Sequence, residues 1–347
     1  QITTGQISAA DGDGLVFKTD DGNTRITLSD GGDVTFADGT DVITASAGTD
    51  NVRIGEGAGD SIASGGDNNT VIGKNAGTAI TTGDLNVAVG SNALSSISTH
   101  SNNTAVGAFA LDAGTGDGNV AIGSGSLGGA SFAASENVAV GKDAGNAITT
   151  GNENVILGAS AGDAYTVAEK NVAIGHNALG ADDNGSRCVA VGWDALGSQN
   201  ADGTTVNNYY NTAIGANAGF SVTSGYYNTF VGGLCGDDTN DGIANTAMGY
   251  SALSANCGDG NTAVGRQAGT GVTGNNNTCF GDGAGESITS GSDNICIGHD
   301  AGSGQVNTVN DQLYIARSNA ALGNDPVFLY GGSSGALING DNSSTFN

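Results

Sequence analysis

The sequence predicts an all-β protein: a parallel β-solenoid, or β-roll, of about fifteen coils of 16–18 residues, with short β flanks. Three observations predict it. One five-residue phrase returns at a fixed period, bulky and small side chains alternate within that phrase, and two apolar positions later in each period compensate for one another. A chain of 347 residues would ordinarily suggest two or three domains, but an internal repeat overrides that prior.

The phrase is plain in NTAIGANAGFSVTSGYYNTFVGG, Asn211 to Gly233, where Asn-Thr-Ala-Ile-Gly returns seventeen residues later as Asn-Thr-Phe-Val-Gly. Its closing glycines are Gly55, Gly73, Gly90, Gly107, Gly123, Gly141, Gly158, Gly175, Gly192, Gly215, Gly232, Gly249, Gly265, Gly281 and Gly298, at intervals of 16 to 18 residues except for 23 between Gly192 and Gly215. The first column is Asn in every copy but one, Cys188; the second is Val, Thr or Ile; the third is Ala in nine copies; the fourth is always apolar, from Ile54 to Ile297. Side chains of a strand alternate sides, so the phrase is one short strand with a bulky face and a small face. A strand this short is marginal alone, and each copy must stack on the next. At about 4.8 Å per rung, fifteen coils make a rod of roughly 70 Å. The expectation is that the bulky columns line a dry interior. The small Ala and Gly face then lies outside, as the lateral contact of an intertwined or side-by-side homotrimer; a monomeric solenoid exposing that face is the alternative.

After Gly-x-x-Ala comes Leu in six copies, Leu94, Leu111, Leu127, Leu179, Leu196 and Leu253, and Gly in the other nine. Where Gly stands, an apolar residue usually follows three positions on, as in Ile62, Ile80, Ile148, Val222, Val272 and Ile288. One large side chain therefore fills the same core volume by two routes, as close packing demands. Ile97 doubles up, and the Gly236 and Gly302 coils lack a clear substitute. In the first column, Asn69, Asn86, Asn103, Asn211, Asn228 and Asn245 are expected to stack as an amide ladder. The competing reading is that Asn merely tolerates a left-handed turn before the strand.

Formal net charge is −26 with nine Lys plus Arg, which repels nucleic-acid phosphates and anionic membranes. No run of eighteen apolar residues predicts membrane insertion, and the chain opens without a basic and apolar leader. Cys188, Cys235, Cys257, Cys279 and Cys296 lack CxxC spacing and read as buried free thiols, with Cys279 and Cys296, at one repeat position in successive coils, a weak disulfide pair.

Residues 1–50 form an N-terminal segment in which GLVFKTDDGNTRITLSDGGDVTF alternates around Asp-Gly-Asn and Gly-Gly-Asp turns as a β-hairpin or meander. Residues 51–302 are the solenoid. Residues 303–347 hold a degenerate copy, Gln312 to Ala316, then a cap or linker. The NVAIG and NTAVG phrases followed by x-x-Ala resemble the head repeats of trimeric autotransporter adhesins, which are parallel β-rolls assembled as trimers. The same repeats, with LYI and FLYGG segments, are also similar to bacteriophage tail fibres. The resemblance implies a homotrimeric, extracellular fibre of a virion that meets other virion proteins and a host surface glycan or protein receptor. A bacterial surface adhesin and a glycan-degrading tailspike are the alternatives.

Nothing in the sequence has the spacing of a nucleophile and base, a phosphate loop or a metal site, so neither an enzyme nor a cofactor is expected. His100, His176 and His299 read as solvated, as do the turn acids Asp182, Asp183, Asp237, Asp238 and Asp241; the acidic DGDG at Asp11 lacks the remaining ligands of a calcium loop. The candidate receptor-binding residues are aromatic. Tyr209 and Tyr210 precede the Asn of one coil and Tyr226 and Tyr227 that of the next, beside the long insertion, and Trp193 opens the same coil. Such side chains offer flat apolar faces with a polar edge, for sugars or for protein contacts between protomers.

Overall fold

The computed structural model describes residues 48–129, 133–200, 207–303 and 308–316, together with the strands Leu15–Lys18, Thr24–Leu28, Val34–Phe36, Val327–Gly331 and Leu337–Ile338. The chain is a β-solenoid. Fifteen three-residue strands, from Val52–Ile54 to Ile295–Ile297, pair in parallel with the strand one coil on, residue for residue: Val155, Ile156 and Leu157 lie opposite Val172, Ala173 and Ile174. Even the 23-residue interval keeps phase, with Val189 opposite Thr212, and the short strands Gly185–Ser186 and Asn207–Asn208 pair where the insertion rejoins. Leu313–Ala316 adds a sixteenth parallel rung. Val327–Gly331 and Leu337–Ile338 then continue the sheet antiparallel. The N-terminal strands form an antiparallel meander, as their turn chemistry predicts.

The interior is the reverse of the expectation. From the second coil onward the third column is buried and the second and fourth are not: Ala88, Ala105, Ala139 and Ala173 are fully enclosed, whereas Leu157 is 46% and Phe280 57% exposed. The physical reason is volume. The Leu or Ile supplied by the turn already fills the cross-section, leaving room only for Ala opposite. Where the third column is larger, the turn opposite is glycine: a Cβ on Gly77 would stand 2.6 Å from Val71 Cγ1, one on Gly145 3.0 Å from Ile156 Cδ1, and one on Gly236 2.5 Å from the Phe230 ring. Phe230 thus fills the Gly236 coil, and fully buried Tyr165 fills the Gly162 coil. The Ala column is therefore interior and cannot provide the lateral contact expected through it, while the closing glycines beyond Gly55 are half-buried. The closing glycines face the next rung so closely that a Cβ on Gly175 would lie 2.3 Å from the Gly192 carbonyl oxygen.

The two routes to a filled core differ in backbone strain. The position that takes Gly or Leu is left-handed throughout, with φ of 55° at Gly77 and 51° at Leu179. Glycine adopts this freely, whereas each Leu accepts strain of about 1–2 kcal/mol to deliver its side chain. Burial of that side chain, worth about 1.5–3 kcal/mol, offsets it.

The Asn ladder is present. Asn154 Nδ2 donates to the Ala168 carbonyl at 2.9 Å and to Asn137 Oδ1 at 3.0 Å, while its Oδ1 accepts the Asn171 N–H at 3.0 Å. The left-handed residue is instead the one before each Asn, such as Leu85, Glu153 or Tyr227. Asn is thus selected for its amide, not for its tolerance of a turn. At Cys188 the amide is missing and a neighbour repairs the gap: Gln199 Oε1 accepts from Asn211 Nδ2 at 2.8 Å, and Gln199 Nε2 donates to Asp182 Oδ2 at 2.6 Å. Asp182, read from the sequence as a solvated turn acid, is fully buried and also accepts the Gly185 N–H.

All five cysteines are buried free thiols. Cys279 lies opposite Cys296 in register, but the two are not bridged. Burial raises the Cys188 and Cys235 thiols to about 12 and Cys257 to about 11, which leaves them unreactive at neutral pH.

Candidate functional site

Two positions before each Asn runs a second ladder that the sequence reading missed. Asp84 Oδ1 accepts the Asp67 N–H, Ser101 Oγ the Asp84 N–H, Asp117 Oδ1 the Ser101 N–H and Ser135 Oγ the Asp117 N–H, at 2.6–3.1 Å. It continues to Asn152, which accepts the Ser135 N–H, and to Ser186, which accepts the Glu169 N–H, and after the tyrosine coils it resumes at Asp259, Asn275, Ser292 and Asn310. The signal was a column dominated by Asp, Ser and Asn, which carry a short side-chain acceptor, and interrupted at Glu169, Tyr209, Tyr226 and Ile243. Asp67, Asp84, Asp117 and Asp259 are thereby backbone acceptors, which gives these turn acids a structural part.

The tyrosines meet as expected. Tyr209 and Tyr226 pack edge to face with centroids 6.3 Å apart, Tyr210 and Tyr227 lie tilted at 5.9 Å, and Tyr226 and Tyr227 stand edge to face at 4.8 Å. Tyr210 and Tyr227 occupy the left-handed position before Asn, which turns their side chains outward; Tyr227 is 54% exposed. Tyr209 packs against the core. The same column continues backward through Arg187, whose guanidinium lies 5.9 Å from the Tyr210 centroid, and Lys170. Lys170 pairs with Glu153 and Glu169 at 3.7 and 3.1 Å, and Arg187 with Glu169 at 3.8 Å. An aromatic platform thus adjoins two of the nine cations of the chain.

Trp193 does not join this cluster. It follows the closing Gly192, on the far side of the strand from Arg187, six residues or about 15–20 Å away along extended chain. Its neighbours are Asp194, Asn217, Phe220, Leu234, Asp237 and Asp238, which line a groove of about 280 Å³. The five aromatic candidates therefore divide into two surfaces on either side of the strand face. No protein family, curated protein or solved structure matches the chain.

Among the described residues no group of three His, Cys, Asp or Glu is placed to hold a metal ion, and no helix is long and apolar enough to cross a membrane. His176 and His299 are exposed, the latter 3.4 Å from Asp300, and His100 is half-buried. Asp11 lies outside the described residues.

One carboxyl in the groove titrates abnormally. Burial, followed by the adjacent Asp238 charge, raises Asp237 from the ordinary 3.8 to about 6. A carboxyl whose native pKa is raised destabilises the fold above that pKa, where its charge is forced, and ceases to do so once both states are protonated, below about 4. Asp237→Asn is accordingly expected to raise the melting temperature at pH 7.5, with the gain fading as pH falls through 6 toward 4. Equal shifts at both ends of that range, followed by circular dichroism, would contradict the assignment.

Proposed function

We propose that the chain is the rod of a homotrimeric, non-enzymatic fibre of a bacteriophage virion, which displays an attachment surface to the host. The observation that carries the homomeric part is the outward face of the strands. Its second and fourth columns hold thirty side chains without one charge, in a protein of net charge −26. The face is three residues wide, about 10 Å, and roughly 70 Å long, or on the order of 700 Å². That approaches the ~800 Å² per partner of a stable interface, and an uncharged, mostly apolar strip of this extent, broken only by the hydroxyls of seven Thr, is characteristic of a contact surface. Identical copies are the natural occupants, because only another rod repeats its rungs at the same spacing.

The tyrosine platform supports the attachment role, since it is exposed beside the insertion, where repeat arrays place binding residues. The assignment to a virion rests on the likeness of the repeats to phage fibres.

Val155→Asp with Leu157→Asp and Val172→Asp is expected to convert the trimer to monomer in analytical ultracentrifugation while preserving the β-sheet spectrum. A mass unchanged by these substitutions overturns the strip as the interface. Replacing Tyr209, Tyr210, Tyr226 and Tyr227 by Ser should abolish adsorption of the source particle to its host and leave the trimer intact. Antibodies against the chain should decorate particle fibres in electron micrographs; decoration of bacterial envelopes instead would identify a surface adhesin.

A further inference from the structure

In a chain whose columns restate themselves, a departure is the signal. The sixth position after the closing glycine is Ser, Ala or Gly in every coil except at Asp238. The fifth is glycine or a polar residue except at Phe220, and the first carries the only tryptophan, Trp193. These departures fall in three successive coils, and the solenoid stacks them around one groove: Trp193 and Asp194, then Asn217 and Phe220, then Leu234, Asp237 and Asp238. Gly197 makes room for it, because a Cβ there would stand 3.3 Å from two carbons of the Phe220 ring.

The lining has one chemical character. Aromatic and aliphatic walls come from Trp193, Phe220 and Leu234; the polar groups are three carboxylates and one amide, and no cation lines the groove. Asp237 Oδ1 is buried and accepts no hydrogen bond. Burial and the Asp238 charge hold its carboxyl near 6, the mark of an acidic groove whose charge no cation in the lining offsets. An anionic ligand is repelled by three carboxylates, and a neutral one leaves their repulsion standing. A cation relieves it and is attracted to the indole face as well. The groove, about 280 Å³, is near the lower end of small-ligand sites, enough for one saccharide ring or a compact amine.

We propose that this groove binds an organic ammonium group, carried by an amino sugar or an equivalent small amine, seated between the Trp193 face and the carboxylates of Asp237 and Asp238. The site is independent of the fibre reading, since it is built within one chain and its test needs neither host nor particle.

Trp193 is the sole tryptophan, so its emission reports on this groove alone. The full chain is titrated at neutral pH and low salt with a glucosamine tetramer, with its fully N-acetylated counterpart, and with choline. Saturable change with the glucosamine tetramer, at least about tenfold tighter than with the acetylated form, is expected; saturation by choline as well shows that the ammonium group alone suffices. Asp237→Asn and Asp238→Asn should each weaken binding about tenfold, salt should weaken it further, and affinity should fall as Asp237 takes a proton below about pH 6. Because Asp237→Asn is expected to stabilise the fold, its loss of binding is separable from unfolding by circular dichroism. Equal affinity for the acetylated and free amines makes the groove a neutral-sugar site and overturns the proposal. So does the absence of any saturable change with either amine up to about 10 mM.

Discussion

Gly175→Ala is expected to destabilise the rod by about 3–5 kcal/mol, at the upper end of single substitutions. Two effects add. The backbone there has a φ of 132°, where a side chain is strained by about 1–3 kcal/mol, and the new Cβ would collide with the Gly192 carbonyl oxygen at 2.3 Å. That oxygen is backbone of the next rung and moves only if the rung moves. Gly65→Ala separates the two effects: its φ is 98°, but nothing lies within 4 Å of the added carbon, so strain alone remains. Native-state hydrogen exchange should show protection lost around the Gly158, Gly175 and Gly192 coils and retained toward both ends, since stability in a stacked array is local. If Gly175→Ala and Gly65→Ala cost the same, the collision is not what selects glycine.

Asn154→Leu is the second large effect, again about 3–5 kcal/mol. The leucine is apolar and of similar size, so the loss is not one of volume. It strands the Asn171 N–H and the Ala168 carbonyl, which Asn154 satisfies at 3.0 and 2.9 Å in a fully buried column. Each buried group left without a partner costs about 1–3 kcal/mol. Chemical denaturation of Asn154→Leu beside Leu157→Ser, an outward neighbour, tests it: the polar-to-apolar change should be clearly the more damaging, because the apolar-to-polar one opens no gap in the solenoid interior and loosens only the proposed contact between rods. The reverse order would restore the interior first expected from the sequence.

That inversion marks the limit of what periodicity reveals. Spacing alone established the rung, its register and the Asn column, because a period of sixteen to eighteen residues has few physical realisations and each column carries one demand. Which side of the strand faces inward was misread by a rule suited to wider cores, where the bulkier face is buried. The sign against it lay in the sequence: in most coils Leu, Ile or Val from the turn already accounted for one large side chain, and Phe230, Ile156 and Val71 each stand opposite glycine. Tyr209, Tyr210, Tyr226 and Tyr227 were legible as a cluster because they share columns in adjacent coils. Trp193 was grouped with them by proximity in the chain, although a strand intervenes. The groove it belongs to was overlooked because its residues are unremarkable singly and distinctive only against their own columns, as Asp238 is.

The 23-residue interval before Gly215 leaves Val189 opposite Thr212. Extra chain therefore leaves the register of the rungs unchanged, and the stack behaves as a ruler graduated in whole turns. Excising one complete repeat should shorten the shaft by a single graduation of about 4.8 Å and leave every remaining layer seated as before, whereas removing half a repeat shifts all that follows out of step.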